Sequence, residues 1–357
     1  MPARRTPRTD APDVYTPSAY TFPPEQGGVI IRATAYHRND FDLAAISFPH
    51  FAHTSVATWL LCEYREPTAT LGAVDRLPVE LINEIRLELD ILSLFRFRHV
   101  NARARRIVHA MYEYRIIPTH ALNAFCALLR TGAAVRVTLS QFYDLFCTTK
   151  CSDSGQRYGN PVFLLPWARL CSFCVQERVV LELCTVRRSV LLSEPALGKF
   201  PTFISLSGIY VLNQKCLKCR AVMTELDAAK SAYRYENEGK ELPLAFLQFY
   251  KARDINAWQA CCALPSYSPT TGEVEYGLSC AGCQINADAP HDRQNRTRFH
   301  LREAVYKKKE YLGHFARCRQ AQSLWLANNK GSNIFADWPD FCLKGAFMDA
   351  EHLLPRS

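Results

Sequence analysis

Between Leu77 and Arg105 the chain reads LPVELINEIRLELDILSLFRFRHVNARAR, and no other stretch restricts the local backbone so closely. Pro78 suits the first turn of a helix, where its missing N–H would have no partner, and Glu80 puts a carboxylate near the positive helix N-terminus. Leu81, Ile85 and Leu89 recur every four residues with polar residues between them, which predicts an amphipathic helix. Asp90 can cap a second short helix carrying Leu94 and Phe97. Asn101 can cap a third, in which Ile107, Val108, Met111 and Tyr112 repeat at helical spacing until Pro118 forces a break. Helices this short cannot bury all their apolar side chains against one another, so some are expected to meet the rest of the chain or a partner.

The same residues resemble an F-box, whose pattern runs LPxEL, a spaced Ile, LD, SL and R-x-V-N. Here those elements are Leu77, Pro78, Glu80, Leu81, Ile85, Leu89, Asp90, Ser93, Leu94, Arg98, Val100 and Asn101. Where many F-boxes carry a Trp, this chain has Ala104 and Arg105. The resemblance implies docking onto the small adaptor subunit of an SCF-type cullin-RING ubiquitin ligase and, through it, onto the cullin. The remainder of the chain would then recruit a protein target that the sequence does not name. Leu77, Pro78, Leu81, Ile85, Leu94 and Val100 match positions associated with adaptor contact or with the small core behind it. The competing reading is a helical hairpin inside an ordinary globular core.

At 357 residues and 48% hydrophobic content, the chain can form one large domain or two to three ordinary ones. The formal charge of +9 is spread over the N-terminus, Arg103 to Arg106 and Arg293 to Lys309. A basic, zinc-containing nucleic-acid-binding protein is therefore the alternative function, although nucleic acid is not the expected partner. Lys307, Lys308 and Lys309 read more simply as a solvated helix face. The opening MPARRTPRTDAPD lacks the apolar core of a secretion signal, and Pro49, His50 and His53 interrupt the apolar stretch from Leu43 to Cys62. The expectation is a soluble intracellular protein of cytoplasm or nucleus, without a membrane partner. Its 15 cysteines then point to metal binding or burial rather than disulfides, and the sequon at Asn295 to an unused one.

The fold class expected is mainly α: an N-terminal three-helix F-box-like module, then an α-rich, Cys-rich domain with structural zinc sites. Residues 1–28 read as a disordered tail, 29–71 as an unassigned segment and 72–115 as the F-box. A helical extension follows over 116–146, with Gly132 joining Thr119–Arg130 to Leu139–Phe146. Residues 147–345 read as the Cys-rich substrate-recognition domain, with more helix over 226–257 and 298–327, and 346–357 as a tail. No repeat of 20 to 50 residues is visible, which disfavours leucine-rich-repeat, WD40 and kelch target domains.

Two cysteine constellations have metal-ligand spacing. Cys280-x2-Cys283 precedes His314-x3-Cys318 by thirty residues, and the second pair would lie one helical turn apart on one face. Four such ligands suit tetrahedral Zn(II), with Gly277 and Gly282 easing the knuckle. Nucleic-acid-reading fingers keep about twelve residues between their ligand pairs, so the longer insert favours a structural clip. Cys147-x3-Cys151 with Cys171-x2-Cys174 forms the second candidate zinc site. Buried, metal-free thiols are the simpler reading of either set. This texture is similar to the C-terminal half of uncharacterised F-box proteins of filamentous fungi. Cys216-x2-Cys219 has no matching pair.

The sequence contains no G-x-S-x-G elbow, phosphate-binding G-x-x-x-x-G-K-[ST] loop, dinucleotide fingerprint or H-E-x-x-H helix. The chain is therefore expected to be a non-catalytic subunit, and four protein ligands on a zinc ion leave no open position for water.

Overall fold

Asp90 and Asn101 cap helices in the computed structural model as their positions predict. Asp90 Oδ1 accepts from Ser93 N at 2.9 Å, and Asn101 Oδ1 accepts from Ala104 N at 2.9 Å. The structure describes residues 20–48, 50–62, 66–177, 183–185, 201–210, 215–217, 220–241, 257–288, 300–332 and 338–343. Residues 1–19 and 346–357 of the expected tails, the Asn295 sequon, Cys219 and the helix expected over 242–256 lie outside these. Helix predominates over strand.

The chain divides into two units. One holds the described residues of Met1–Arg38 and Leu278–His352, the other those of Asn39–Gly277. The boundaries fall at residues 38/39 and 277/278, whereas composition suggested a change of texture at Cys147. The first unit depends on pairing between residues far apart in sequence, Ala35–Tyr36 with Ser279–Cys280, which composition does not register.

In the larger unit, helices Val79–Glu88, Ile91–Arg98 and Ala102–His109 follow one another closely. Helices Tyr112–His120, Leu122–Thr131 and Leu139–Cys147 extend them. Ile91 N donates to Val137 O and Leu139 N to Leu89 O, tying the start of the second helix to the start of the last. Gly132, at φ +77°, ends the Leu122–Thr131 helix in the left-handed region that a side chain resists. A Thr138–Gln141 capping box opens the next helix.

Pro118 does not break its helix. It lies inside Tyr112–His120, so near the C-terminal end that its missing N–H removes one bond without stopping the turn, and the interruption falls earlier, at Ala110 and Met111. The buried Arg98 donates to Trp59 O and Leu60 O, both at 3.0 Å, and its guanidinium lies 4.6 Å over the Trp59 ring. It thereby fastens the helix His50–Leu61, from the unassigned segment, to the helical module.

Beyond Cys147 the larger unit contains more short strand than the expected α-rich domain would. Pro161–Phe163 pairs antiparallel with Ala168–Arg169 and with Cys261–Ala263, and Val222–Glu225 pairs with Leu183–Thr185 and Thr202–Ile204. Arg169 is buried and donates to the carbonyls of Leu145, Gly159, Leu264 and Pro265, at 2.5 to 3.1 Å. Five donors on a rigid planar group suit this convergence of backbone carbonyls.

In the smaller unit, helix Gly27–Thr34 leads into Ala35–Tyr36, which pairs antiparallel with Ser279–Cys280. Tyr20 and Phe22, assigned to the tail from composition, pack edge-on against Phe315, each with ring centroids 5.7 Å apart. Tyr20 N also donates to Ala316 O at 2.8 Å. Two aromatics in a Pro- and Thr-rich stretch suffice to anchor it, although the average composition hides them.

Candidate metal centres

Cys280 closes the strand Ser279–Cys280, and Cys283 lies in the first turn of the helix Ala281–Asp288 that follows. Cys283 N donates to Cys280 Sγ at 3.4 Å, the bond by which a C-x2-C turn points both sulfurs the same way. His314 belongs to the last turn of Lys308–Phe315, while Cys318 is the N-cap of the next helix, Arg319–Ala327. The pair therefore spans a junction between helices rather than one helical face. One α-turn survives across it, because Cys318 N donates to His314 O at 2.9 Å.

These four residues are buried, and their ligand atoms all lie within 4.8 Å of one another. Cys280 Sγ and Cys283 Sγ are each 3.9 Å from Cys318 Sγ, and Cys283 Sγ is 3.4 Å from His314 Nε2. Those spacings are far too long for a disulfide. A tetrahedron with Zn–S of ~2.3 Å and Zn–N of ~2.05 Å has S···S edges of about 3.8 Å and S···N edges of about 3.6 Å. The group has the dimensions of such a tetrahedron and could hold a metal ion.

Its surroundings hold the ligands in place. Tyr306 stacks on the His314 ring at 4.7 Å between centroids and 22° between planes. Tyr311 Oη donates to Thr34 O at 2.7 Å and lies 3.9 Å from Cys280 Sγ. Ile30, Ala33, Ala35, Phe315, Ala321 and Trp325 pack with the three cysteines into one core. Hydrogen bonding from Cys280 and Cys283, with the charge of His314 beside them, holds the Cys318 thiol well below its ordinary range. Burial pushes Cys280 up instead. Metal binding takes the deprotonated thiols, so an ion at this place would offset the cost of burying their charge.

Gly282 serves a different purpose from the one its place in the knuckle suggests. A Cβ there would lie 2.3 Å from Ala321 N, so its lack of a side chain lets the Ala281–Asp288 and Arg319–Ala327 helices meet backbone to backbone. Gly277 does take the turn conformation, at φ +82°.

The second constellation assembles only in part. Cys151, Cys171 and Cys174 are buried with their sulfurs within 4.8 Å of one another and could hold a metal ion. Cys147 is not in that group. It ends the Leu139–Cys147 helix, half-buried, and hydrogen-bonds with Tyr143. Helix direction accounts for the difference, since Cys147 belongs to a helical face already packed and Cys151 to the loop beyond it. Cys261 and Cys262 are fully buried on a strand and cluster with neither set. Burial raises both thiols.

The residues assigned to adaptor contact separate by burial. Leu94 is fully buried, while Leu77, Pro78, Leu81, Ile85 and Val100 are exposed. Arg98, part of the same sequence pattern, belongs wholly to the core. Sequence reasoning missed Arg169, Tyr306, Tyr311 and Thr34. Of these, only Tyr306 and Tyr311 carried a local signal, as aromatics within two turns of a candidate ligand.

Comparison with known proteins adds no assignment: no family model, no curated protein and no solved structure matches the chain. Among the described residues, no helix is long and apolar enough to cross a membrane.

Proposed function

We propose that this chain is an F-box substrate receptor of an SCF-type cullin-RING ubiquitin ligase, a non-catalytic subunit that docks the adaptor and recruits a protein target. One observation carries the reading. Over residues 77–109, Leu77 is 38%, Leu81 45%, Ile85 50% and Val100 65% exposed, while Ile82, Ile91 and Leu94 are buried. Leu81 and Ile85 lie one turn apart on the helix Val79–Glu88, with Leu77 just ahead of its N-cap Pro78, so this helix carries apolar side chains on its outer side as well as its inner contact. A run of large apolar side chains left in water, rimmed by Asn83, Glu84 and Glu88, is the usual mark of a surface that a protein partner covers. These are the positions through which the F-box resemblance implies adaptor contact; Leu94 is the core behind them.

In this reading the two thiol-containing groups hold structural zinc, which stiffens the parts of the chain that present a surface to the target. The ligands of the first would be Cys280, Cys283, His314 and Cys318. A closed shell of protein ligands on zinc supplies folding free energy rather than chemistry.

The test is co-expression of the full chain with the ligase adaptor, comparing wild type with Leu81→Asp, Ile85→Asp. The wild type is expected to recover adaptor at one-to-one stoichiometry. The variant is expected to lose it while keeping its circular dichroism spectrum, since both positions are exposed. Undiminished adaptor recovery by the variant, or none by the wild type, removes the reading.

A further inference from the structure

The Cys151, Cys171 and Cys174 group is built from two turns of one kind that differ in what their last residue supplies. Cys174 N donates to Cys171 Sγ at 3.4 Å, as Cys283 N does to Cys280 Sγ. Ser154 N donates to Cys151 Sγ at the same 3.4 Å. The backbone after Cys151 therefore follows a C-x2-C turn, with Ser154 standing where the second cysteine would be. Gly155 N closes this turn by donating to Cys151 O at 2.9 Å, with Gly155 at φ +71°. Among the described residues, no fourth Cys, His, Asp or Glu brings a ligand atom to the three sulfurs. Ser154 Oγ accepts from Arg157 N at 3.4 Å, which ties the hydroxyl into its own turn. The three cysteines are buried, whereas Ser154 is half-buried and Gly155 and Gln156 after it are exposed, so this corner of the group faces the surface.

Resting on the reading that this group holds zinc, we propose that Cys151, Cys171 and Cys174 form a three-thiolate centre whose fourth position, at the Ser154 corner, is held by water and exchanges for a small thiol. Zinc takes four ligands, and a centre with three protein ligands keeps the fourth position for solvent or an incoming molecule. A neutral serine hydroxyl is not among the donors zinc selects in proteins, so the turn brings a side chain to the corner without closing it. Soft donors select the ion here, and a thiol is the soft monodentate ligand that matches them. Three thiolates on Zn(II) leave one net negative charge. Arg157, in the same turn, sets its guanidinium 4.5 Å over the ring of Phe173, which lies between Cys171 and Cys174, and so supplies a cation beside that charge. The Cys280 centre, with four protein ligands, has no such position. Exchange is then a property of one centre only.

The experiment uses the full chain purified with zinc, with metal content measured by plasma mass spectrometry and affinity by chelator competition. The chain is then loaded with Co(II) and titrated with 2-mercaptoethanol while the ligand-field bands are followed. The wild type is expected to carry two metals, and added thiol is expected to move the bands of one of them. Ser154→Cys, which restores the second cysteine of the turn, is expected to abolish that response and to tighten the second zinc at least ~10-fold, since even outer partners of a metal site are worth ~10–100-fold in affinity. Ser154→Ala is expected to keep both metals and the thiol response, and it decides the matter should the cysteine variant fold poorly. One zinc in the wild type, or two retained by Cys171→Ser, removes the reading that this group holds zinc and the proposal with it. Two zinc ions with bands that thiol leaves unmoved, a Ser154→Cys variant that still responds, or a zinc lost in Ser154→Ala overturns the proposal alone.

Discussion

Gly282 lies so close to Ala321 that a methyl group on the glycine would come within 2.3 Å of the Ala321 backbone nitrogen. Cys283 follows the first of these residues and Cys318 precedes the second by one helical turn. The separation of two backbones therefore sets the separation of two candidate metal ligands, whose sulfurs stand 3.9 Å apart.

Gly282→Ala is consequently expected to cost more than a helical alanine normally would. In an exposed helix, exchanging glycine for alanine stabilises by up to ~1 kcal/mol. Here the clash is with backbone, which cannot swing aside, and overpacking of this kind costs about 1–3 kcal/mol or more. Thermal melting and zinc content, measured on the same preparation, are expected to fall together. A raised melting temperature with full zinc occupancy would contradict the close approach.

If Cys280, Cys283, His314 and Cys318 hold zinc as proposed, removing it should have a larger effect than any single packing change. Cys283→Ser or His314→Ala, like prolonged chelation, takes away a ligand from the middle of the core. Apparent zinc binding free energies of roughly 10–16 kcal/mol are comparable with a domain's whole stability. Limited proteolysis is expected to cut within 300–332 after chelation and not before. Cys342→Ser, at a buried cysteine outside the cluster, is expected to leave zinc content unchanged.

Arg98 should behave as a structural residue and not as part of a docking surface. It donates to the Trp59 and Leu60 carbonyls and lies over the Trp59 ring. Arg98→Ala is expected to destabilise the larger unit by about 3 kcal/mol, given ~1.5–3 kcal/mol for a hydrogen bond to a charged group. Arg98→Lys should recover little, because an ammonium cannot reach two carbonyls and stack on the indole together. Urea denaturation followed by tryptophan fluorescence checks both expectations.

The buried pair Arg38 and Glu303 gives the smaller unit an acid limit. Burial alone would raise the Glu303 carboxyl, but the Arg38 and Arg302 guanidiniums outweigh it and hold the group below the ordinary carboxylate range. A lowered folded-state value contributes stability that is present above the unfolded carboxylate range, about 4.3, and is lost as pH falls through the folded value. Glu303→Gln is therefore expected to destabilise by roughly 3 kcal/mol at pH 7, with the gap to wild type closing below about pH 4. A gap that stays constant from pH 7 to pH 3 would exclude the ion pair as its source.

Much of the helical module was legible because its signals are local. Capping by Asp90 and Asn101, the turn at Gly132 and the helices after it depend on hydrogen bonds that reach three or four residues. Pro118 was misread because its effect depends on position within the helix, and only the actual ends of Tyr112–His120 supply that. Cys280, Cys283, His314 and Cys318 were legible as a set because thiol and imidazole pairs at knuckle spacing are rare by chance. Cys147 was misplaced because spacing alone does not say whether a side chain at a helix end turns toward the loop or the helix face.

By itself the sequence determined that Asp90 and Asn101 cap helices, that Gly132 separates two more, and which soft ligands come in pairs. It also determined the apolar repeat of Leu81, Ile85 and Leu89. The tertiary structure alone decided that Leu81 and Ile85 of this repeat stay exposed and that residues from Tyr20 to Arg38 share a core with residues beyond 278. It also decided that Cys147 stays outside the second thiol group. The physical reason is range. A cap or a helical stripe is settled within a few residues by backbone hydrogen bonding and periodicity, whereas burial and ligand convergence depend on which distant surfaces exclude water together.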